Sequence, residues 1–413
     1  MYCLSKIVHT QKRLLIVIFS LAFIVRLLFV AALENQLVWY DEIQYDAIAR
    51  SMLRGEGYGS TAFAPLQPFF LLGVYSIFGA DILAARLAQV LLGALTSIIV
   101  CLVGTRVFDR NVGVLAGFIS VFYPYFVYVT GALYPTALFM LLLALAIFFL
   151  LRFYDNGQKS CLILAGVTLG LSLLAIPTVL FFLPMIPLWF LLSRKFTLKQ
   201  VAAYSTILMV VTLMVVAPWS IRNSLHYGQF VLVTTEGGHA FWQGNNPYFD
   251  GVNRPGPDDI PQELRQKLKG LSKIEKDRVY YRESFNFIRN KPMQFVKLYI
   301  IKFFNYWRLY PNTISENRFT TLKTKIISLL TYGLLLPFAL FGIIKSVFHN
   351  KKTLLLLFLM LSFSLGYSLF LTSVRYRIPL DVYVIVFAAF GIIRVFKSVF
   401  PVWKKNLVTT SDY

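Results

Sequence analysis

The chain has 413 residues, of which 57% are hydrophobic and 14% charged, and its formal net charge is +21. A soluble domain is nearer half apolar and a quarter charged, and so little charge cannot cover the surface of a compact particle. A soluble enzyme, a disordered chain and a collagen-like chain are therefore excluded, and the mean hydropathy of +0.66 fits a polytopic membrane protein whose basic excess reflects topology rather than nucleic-acid binding.

A helix needs about 20 apolar residues to cross a hydrocarbon core of about 30 Å. In chain order, about ten such runs are predicted: Leu14–Leu33, Ile82–Gly104, Val112–Tyr123, Ala132–Leu151, Cys161–Ile176, Thr178–Leu192, Val201–Pro218, Ile326–Lys345, Leu354–Leu371 and Pro379–Ile393. The third and sixth are short. Leu66–Phe78 is too short to cross and reads as a helix lying in or dipping into the interface. The expected fold is an all-α membrane bundle in three parts. Residues 1–218 form an N-terminal membrane module with a first outer loop at 33–81. Residues 219–323 form a large outer loop domain, mostly irregular or helical, and 324–413 form the C-terminal membrane helices.

Charge sets the orientation. With the N-terminus cytoplasmic, the inner connections hold Lys6, Lys12, Arg13, Arg106, Arg110, Arg152, Lys159, Arg194, Lys195, Lys199, Lys351, Lys352, Lys397, Lys404 and Lys405. The short outer connections at Pro124–Gly131 and around Pro177 hold no Lys or Arg, which is a positive-inside pattern with both termini in the cytoplasm. Cys3, Cys101 and Cys161 then lie on the cytoplasmic side, where no disulfide is expected. Arg375 and Arg377, in the outer turn Ser373–Ile378, breach the rule. An extended turn would put both on one side, with Tyr376 opposite.

In the first outer segment, Ile43, Ala47, Ile48 and Leu53 have helical spacing, Gly55 follows them, and Asp41 stands where an N-cap would. Asp41 and Glu42 thus lie at the outer mouth of the first span. They fit either a helix cap or a general base at the membrane surface.

These residues resemble a known family. Asp41-Glu42, Tyr45, the Ala47-Ile48-Ala49 helix, Gly55-Glu56-Gly57-Tyr58, Pro65 and Pro68, and the half-helix ending Phe78-Gly79 look like the first outer loop of GT-C glycosyltransferases. The nearest pattern is that of the protein O-mannosyltransferase and lipid A aminoarabinose transferase groups, of the bacterial glycosyltransferase family 39 type. Ala217-Pro218-Trp219-Ser220-Ile221-Arg222-Asn223, Tyr227-Gly228, Gly237-Gly238, Gly244-Asn245-Asn246-Pro247 and Arg375-Tyr376-Arg377-Ile378-Pro379 extend the likeness in the same order.

The resemblance implies a GT-C helical bundle in the cytoplasmic (inner) membrane, working on its periplasmic or outer side. It implies inverting transfer of a hexosyl or pentosyl unit from a polyprenyl-phosphate carrier to a lipid, glycan or protein acceptor. Asp41 would be the base and Glu42 a secondary acid. Arg375, Arg377 and Arg222 would meet the donor phosphate, a task that suits the arginine fork. The same arginines also fit lipid-headgroup contacts or, for Arg222, a snorkelling anchor. Tyr45, Tyr376, Lys302, Arg308 and His239 are weaker candidates. Lys302 and Arg308 also fit an interfacial amphipathic helix, and His239 an ordinary loop residue.

The pattern departs from the family twice. The second outer turn, Gly131-Ala132-Leu133-Tyr134-Pro135-Thr136, has no acid, and neither does Thr61-Ala62-Phe63-Ala64-Pro65. No cofactor is certain, and a divalent metal stays open because nothing fixes its ligands. A lipid-linked sugar flippase or other transporter is the rival reading. It predicts charged residues deep in several spans, of which Arg26 is the main one here.

Overall fold

The computed structural model describes residues 2–59, 61–251, 260–311 and 322–399, the first ten by backbone alone. Lys404 and Lys405 lie outside the described residues, as do the side chains of Cys3 and Lys6. Among the described residues all regular structure is helical. The first half comprises α1 (Tyr2–Ala31), α2 (Tyr40–Leu53), α3 (Leu66–Phe78), α4 (Ile82–Val107), α5 (Arg110–Phe122), α6 (Pro124–Tyr128), α7 (Thr136–Asn156), α8 (Lys159–Ala175) and α9 (Met185–Ser193), the last preceded by a 3-10 turn at Pro177–Phe181. There follow α10 (Leu198–Tyr227), α11 (Gly237–Gly244), α12 (Gln262–Leu268), α13 (Lys273–Asn290) and α14 (Pro292–Tyr306). The chain ends with α15 (Leu322–Ser328), a π-helical bulge (Leu329–Gly333), α16 (Leu334–Ser346), α17 (Lys351–Leu369) and α18 (Val374–Val399).

Among the described residues, seven helices are long and apolar enough to cross a membrane: Lys12–Ala31, α4, α7, α10, the composite Leu322–Ser346, α17 and α18. The shorter α5, α8 and Pro177–Ser193 occupy the other three predicted spans. The protein is thus a multi-pass membrane bundle. Helix α3 is only about 20 Å long at 1.5 Å per residue, and it packs on α2 and α4.

Local chemistry sets the helix ends. Asp81 accepts the Leu83 and Ala84 amides at the start of α4, and Asp109 accepts the Val112 amide at the start of α5. Thr197 and Gln200 cap α10 reciprocally, and Gly228, at φ +66°, ends it. The predicted boundaries move at two places. Helix α10 runs through Pro218 to Tyr227, because its C-terminal end is stitched to a neighbouring segment: Trp219 Nε1 donates to Val233 O at 2.8 Å and Ser220 to Leu232 O at 2.6 Å. Helix α18 starts at Val374, so Arg375 and Arg377 are helical rather than extended, and they point to different sides.

Most of α18 is buried, whereas α1, α10 and the composite span expose much of their length. Its partner α16 approaches backbone to backbone. A Cβ on Gly391 would stand 2.1 Å from Phe338 O, and one on Gly342 2.2 Å from Phe387 O, so only glycine fits at either place.

Candidate active site

The site is built first by α2. Glu42, in its first turn, is 2% exposed. Its Oε1 accepts the Val38 and Trp39 amides at 2.7 and 2.9 Å, and its Oε2 accepts the Leu133 amide at 3.0 Å. Both oxygens are therefore committed to backbone, and they tie α2 to the turn that precedes α7. Asp41 carries no such load. Its carboxylate projects from the helix N-terminus and meets Arg375 from the start of α18, Oδ2 to Nη1 at 3.2 Å, across 334 positions of sequence. The two side chains are 33% and 22% exposed, so a ligand can reach both.

The Arg375 guanidinium sits in aromatic surroundings. It stands 4.5 Å from the Tyr134 ring centre, and its Nη2 donates to the Tyr376 hydroxyl at 3.3 Å. Tyr376 is stacked on Tyr367 at 4.8 Å with the rings nearly parallel. Beneath Asp41, Tyr45 packs edge-on against Phe63 at 5.0 Å. Burial, then the Asp41 charge, raises the Tyr45 phenol well above its ordinary range, so Tyr45 stays a protonated donor.

The turn before α7, which presents Tyr134, is held by buried polar side chains. Arg86 donates to Gly131 O at 2.8 Å, Glu34 O at 2.7 Å and Gln36 O at 2.9 Å. Gln89, one turn later on α4, donates to Thr130 O and Ala132 O, and Gln67 donates to Leu133 O. Buried loop carbonyls need such donors. The sequence reading missed Arg86, Gln89, Gln67 and Tyr134. The available signal was Arg86 and Gln89, three apart on one face of an otherwise apolar span.

The other candidates divide. Arg222 is near the C-terminal end of α10, its guanidinium 5.0 Å from the Trp219 ring centre and 5.7 Å from that of Tyr58. Its hydrogen bond goes to Asn223 Oδ1 at 3.1 Å, and it makes no ion pair among the described residues. Arg377 turns away from Asp41. It is fully buried, pairs with Asp381 at 3.0 Å, stands 3.5 Å from the Tyr332 ring centre and donates to Arg308 O. Arg308 enters this network through its carbonyl. Lys302 is buried too, and its ammonium donates to Gly244 O, Asn245 Oδ1 and Phe370 O at 2.8, 3.0 and 3.1 Å. His239 lies on α11 with Glu236 Oε2 at 3.1 Å from its Nδ1, and its backbone amide donates to Asp277.

No three His, Cys, Asp or Glu side chains converge among the described residues. A hard cation needs about six oxygen ligands. With Glu42 spent on amides, Asp41 is the one carboxylate shown to face Arg375, and this donor set does not fit a resident divalent ion.

Known proteins were then compared. Residues 62–221, short of half the chain, match the family model described as dolichyl-phosphate-mannose-protein mannosyltransferase. No curated protein matches in sequence. Among solved structures, the archaeal oligosaccharyltransferase AglB from Archaeoglobus fulgidus, in complex with an inhibitory peptide and a dolichol-phosphate, superposes with a TM-score of 0.62 at 14% identity over 97% of this chain. ArnT from Cupriavidus metallidurans bound to undecaprenyl phosphate gives 0.50 at 14% identity over 94% of this chain and 79% of its own. This chain has the GT-C fold. It spans about half the length of AglB, 52% of that chain. The resemblance carried by the Asp41, Arg222 and Arg375 segments thus agrees with the GT-C architecture over nearly the whole sequence.

Proposed function

We propose that the protein is an inverting glycosyltransferase that moves a sugar from a polyprenyl-phosphate carrier to an acceptor at the outer face of the cytoplasmic membrane. The observation that carries this reading is the contact of Asp41 with Arg375. Two groups far apart in sequence meet at a half-open spot, one fit to take a proton and one fit to hold an anion. The GT-C fold supports it, as do the lipid phosphates named in the AglB and ArnT complexes.

The chemistry follows from the groups. The donor phosphate competes with Asp41 for the Arg375 guanidinium, which binds phosphate through two N–H groups and stays charged at any relevant pH. Arg222, with no carboxylate partner among the described residues, is the second cation for that phosphate. Release from Arg375 frees the Asp41 carboxylate to accept the acceptor's hydroxyl or amine proton. The acceptor oxygen or nitrogen attacks the anomeric carbon from the face opposite the phosphate. The bond from that carbon to the phosphate oxygen breaks, and polyprenyl phosphate leaves with the electron pair. Arg375 stabilises the charge that grows on the leaving oxygen.

Asp41→Asn keeps the size and removes the base. Its rate of sugar transfer from a labelled polyprenyl-phosphate donor falls at least about a hundredfold, with donor binding kept. Transfer at the wild-type rate would overturn the assignment. The transporter reading draws on the buried Arg377–Asp381 pair, a charge within a span besides Arg26. Movement of labelled lipid-linked sugar across a vesicle membrane without bond cleavage would favour it.

A further inference from the structure

A cavity lies at the end of the bundle away from Asp41. Helices α16 and α18 touch at Gly342 and Gly391, and beyond that contact a cavity of about 780 Å³ is open between them and the α4–α5 connection. Its wall is aromatic: Phe108 and Phe390 stack at 4.1 Å with rings nearly parallel, and Phe341 also lines it. Lys345, His349 and Arg394 also line it. The Lys345 ammonium stands 5.8 Å from the Phe341 ring centre and the Arg394 guanidinium 5.1 Å from that of Phe390.

Neither cation makes an ion pair among the described residues. Lys352 nearby, by contrast, is paired with Asp155 at 2.6 Å. The carboxylate lining the cavity is Asp109, and its Oδ1 already accepts the Val112 amide at 2.9 Å. The excess charge of the cavity is positive.

Helix geometry gives the depth. Arg375 and Arg394 are on one helix, and at 1.5 Å per residue they are about 28 Å apart along its axis, close to the thickness of a hydrocarbon core. The cavity therefore opens at the membrane face opposite Asp41. Ile344, Phe348 and Phe396 beside it are exposed apolar side chains, as a lipid-facing rim requires.

We propose that this cavity binds the headgroup of an anionic phospholipid from the leaflet opposite Asp41. Its phosphate lies between Lys345 and Arg394, and the first acyl carbons lie against Phe341 and Phe390. Two cations that make no ion pair among the described residues, above aromatic walls, match an amphiphile's charge and its apolar stem together, whereas a soluble anion uses only the charge. The proposal rests on the membrane bundle and not on the transfer reaction.

The test is binding to the purified full chain in neutral detergent, read by native mass spectrometry with phosphatidylglycerol, phosphatidylcholine or inorganic phosphate added. Phosphatidylglycerol is expected to bind in preference to phosphatidylcholine. The pair Lys345→Gln/Arg394→Gln should weaken it about thirtyfold, from two lost charges. Ser398→Trp, which keeps both charges and fills the mouth, should weaken it too and serves if the double variant does not fold. Arg375→Gln should leave this binding in place, which separates it from any donor site near Asp41. Equal binding of the two lipids, unchanged affinity in the double variant or in Ser398→Trp, loss in Arg375→Gln, or inorganic phosphate binding as tightly as the lipid would each overturn the proposal.

Discussion

Arg375 is held by three different things at once: the Asp41 carboxylate, the face of Tyr134 and the hydroxyl of Tyr376. A flat, delocalised cation satisfies all three, and a lysine ammonium satisfies only the charge. This difference is measurable. Arg375→Lys should keep a point charge near the phosphate and lose the two-point grip, lowering kcat/KM for the donor about tenfold. Arg375→Gln should lower it about a hundredfold or more, as loss of a transition-state donor does. Steady-state assays with a labelled donor distinguish the two. Full activity in Arg375→Lys would show that a bare charge suffices, and the fork would then have no role. Glu42 illustrates the opposite case. Adjacent to Asp41 and of the same chemistry, it is consumed by three backbone amides, and spacing alone could not have told the two carboxylates apart.

At the scale of elements, helices α11 and α14 are latched to the loop that leads into α18. Lys302 on α14 reaches the C-terminal end of α11 and the carbonyl of Phe370, five residues before Arg375. Gly244 is packed so closely there that a Cβ would stand 1.8 Å from Phe370 O. All three acceptors of Lys302 are neutral, and burial pulls its ammonium from 10.5 down to about 7. The sign follows. Between about pH 7 and 10 the unfolded chain binds a proton that the folded chain has released, so stability rises with pH. Below about pH 7 both states are charged and the burial cost is full. Wild type should therefore gain melting temperature from pH 7 to 10 relative to Lys302→Met, whose slope lacks this contribution. Over the same range donor affinity should weaken in wild type, because a neutral amine has two N–H groups for three acceptors. Parallel melting slopes for the two proteins would exclude the titration.

The seven long apolar helices, their order and the shorter helix Leu66–Phe78 were legible in the sequence, because bilayer thickness leaves an apolar signature of about 20 residues. The pairing of Asp41 with a distant arginine was legible only through resemblance. The Arg86, Gln89 and Gln67 scaffold was not read at all, since its acceptors are backbone carbonyls and these have no side-chain signature. Arg377 was grouped with Arg375 because an extended turn was assumed. Once Val374 starts a helix, residues two apart face different ways.

At the scale of the whole molecule, the question is why a membrane bundle keeps a fully buried ion pair. Arg377 and Asp381 are one turn apart on the most buried helix, with Tyr123 donating to Asp381 at 2.8 Å and Arg377 donating to the Arg308 carbonyl. Arg26 is likewise enclosed, on the carbonyls of Ala22, Val121 and Ser120 and the Ser97 hydroxyl. Charges that a transporter would use to move ions or substrate must change partners during the cycle, whereas these are bonded into the walls. A purely structural pair makes a definite forecast. Asp381→Asn leaves a guanidinium without its anion and should cost about 3–5 kcal/mol, while Arg377→Met/Asp381→Leu removes both charges and should restore most of that loss. Unfolding of the three proteins in one detergent, with sugar transfer measured on each, decides the matter. Recovery of stability together with transfer marks the pair as scaffold. A double variant as stable as wild type but devoid of transfer would make the pair part of the working machinery, and the separation of Arg375 from Arg377 drawn above would fail.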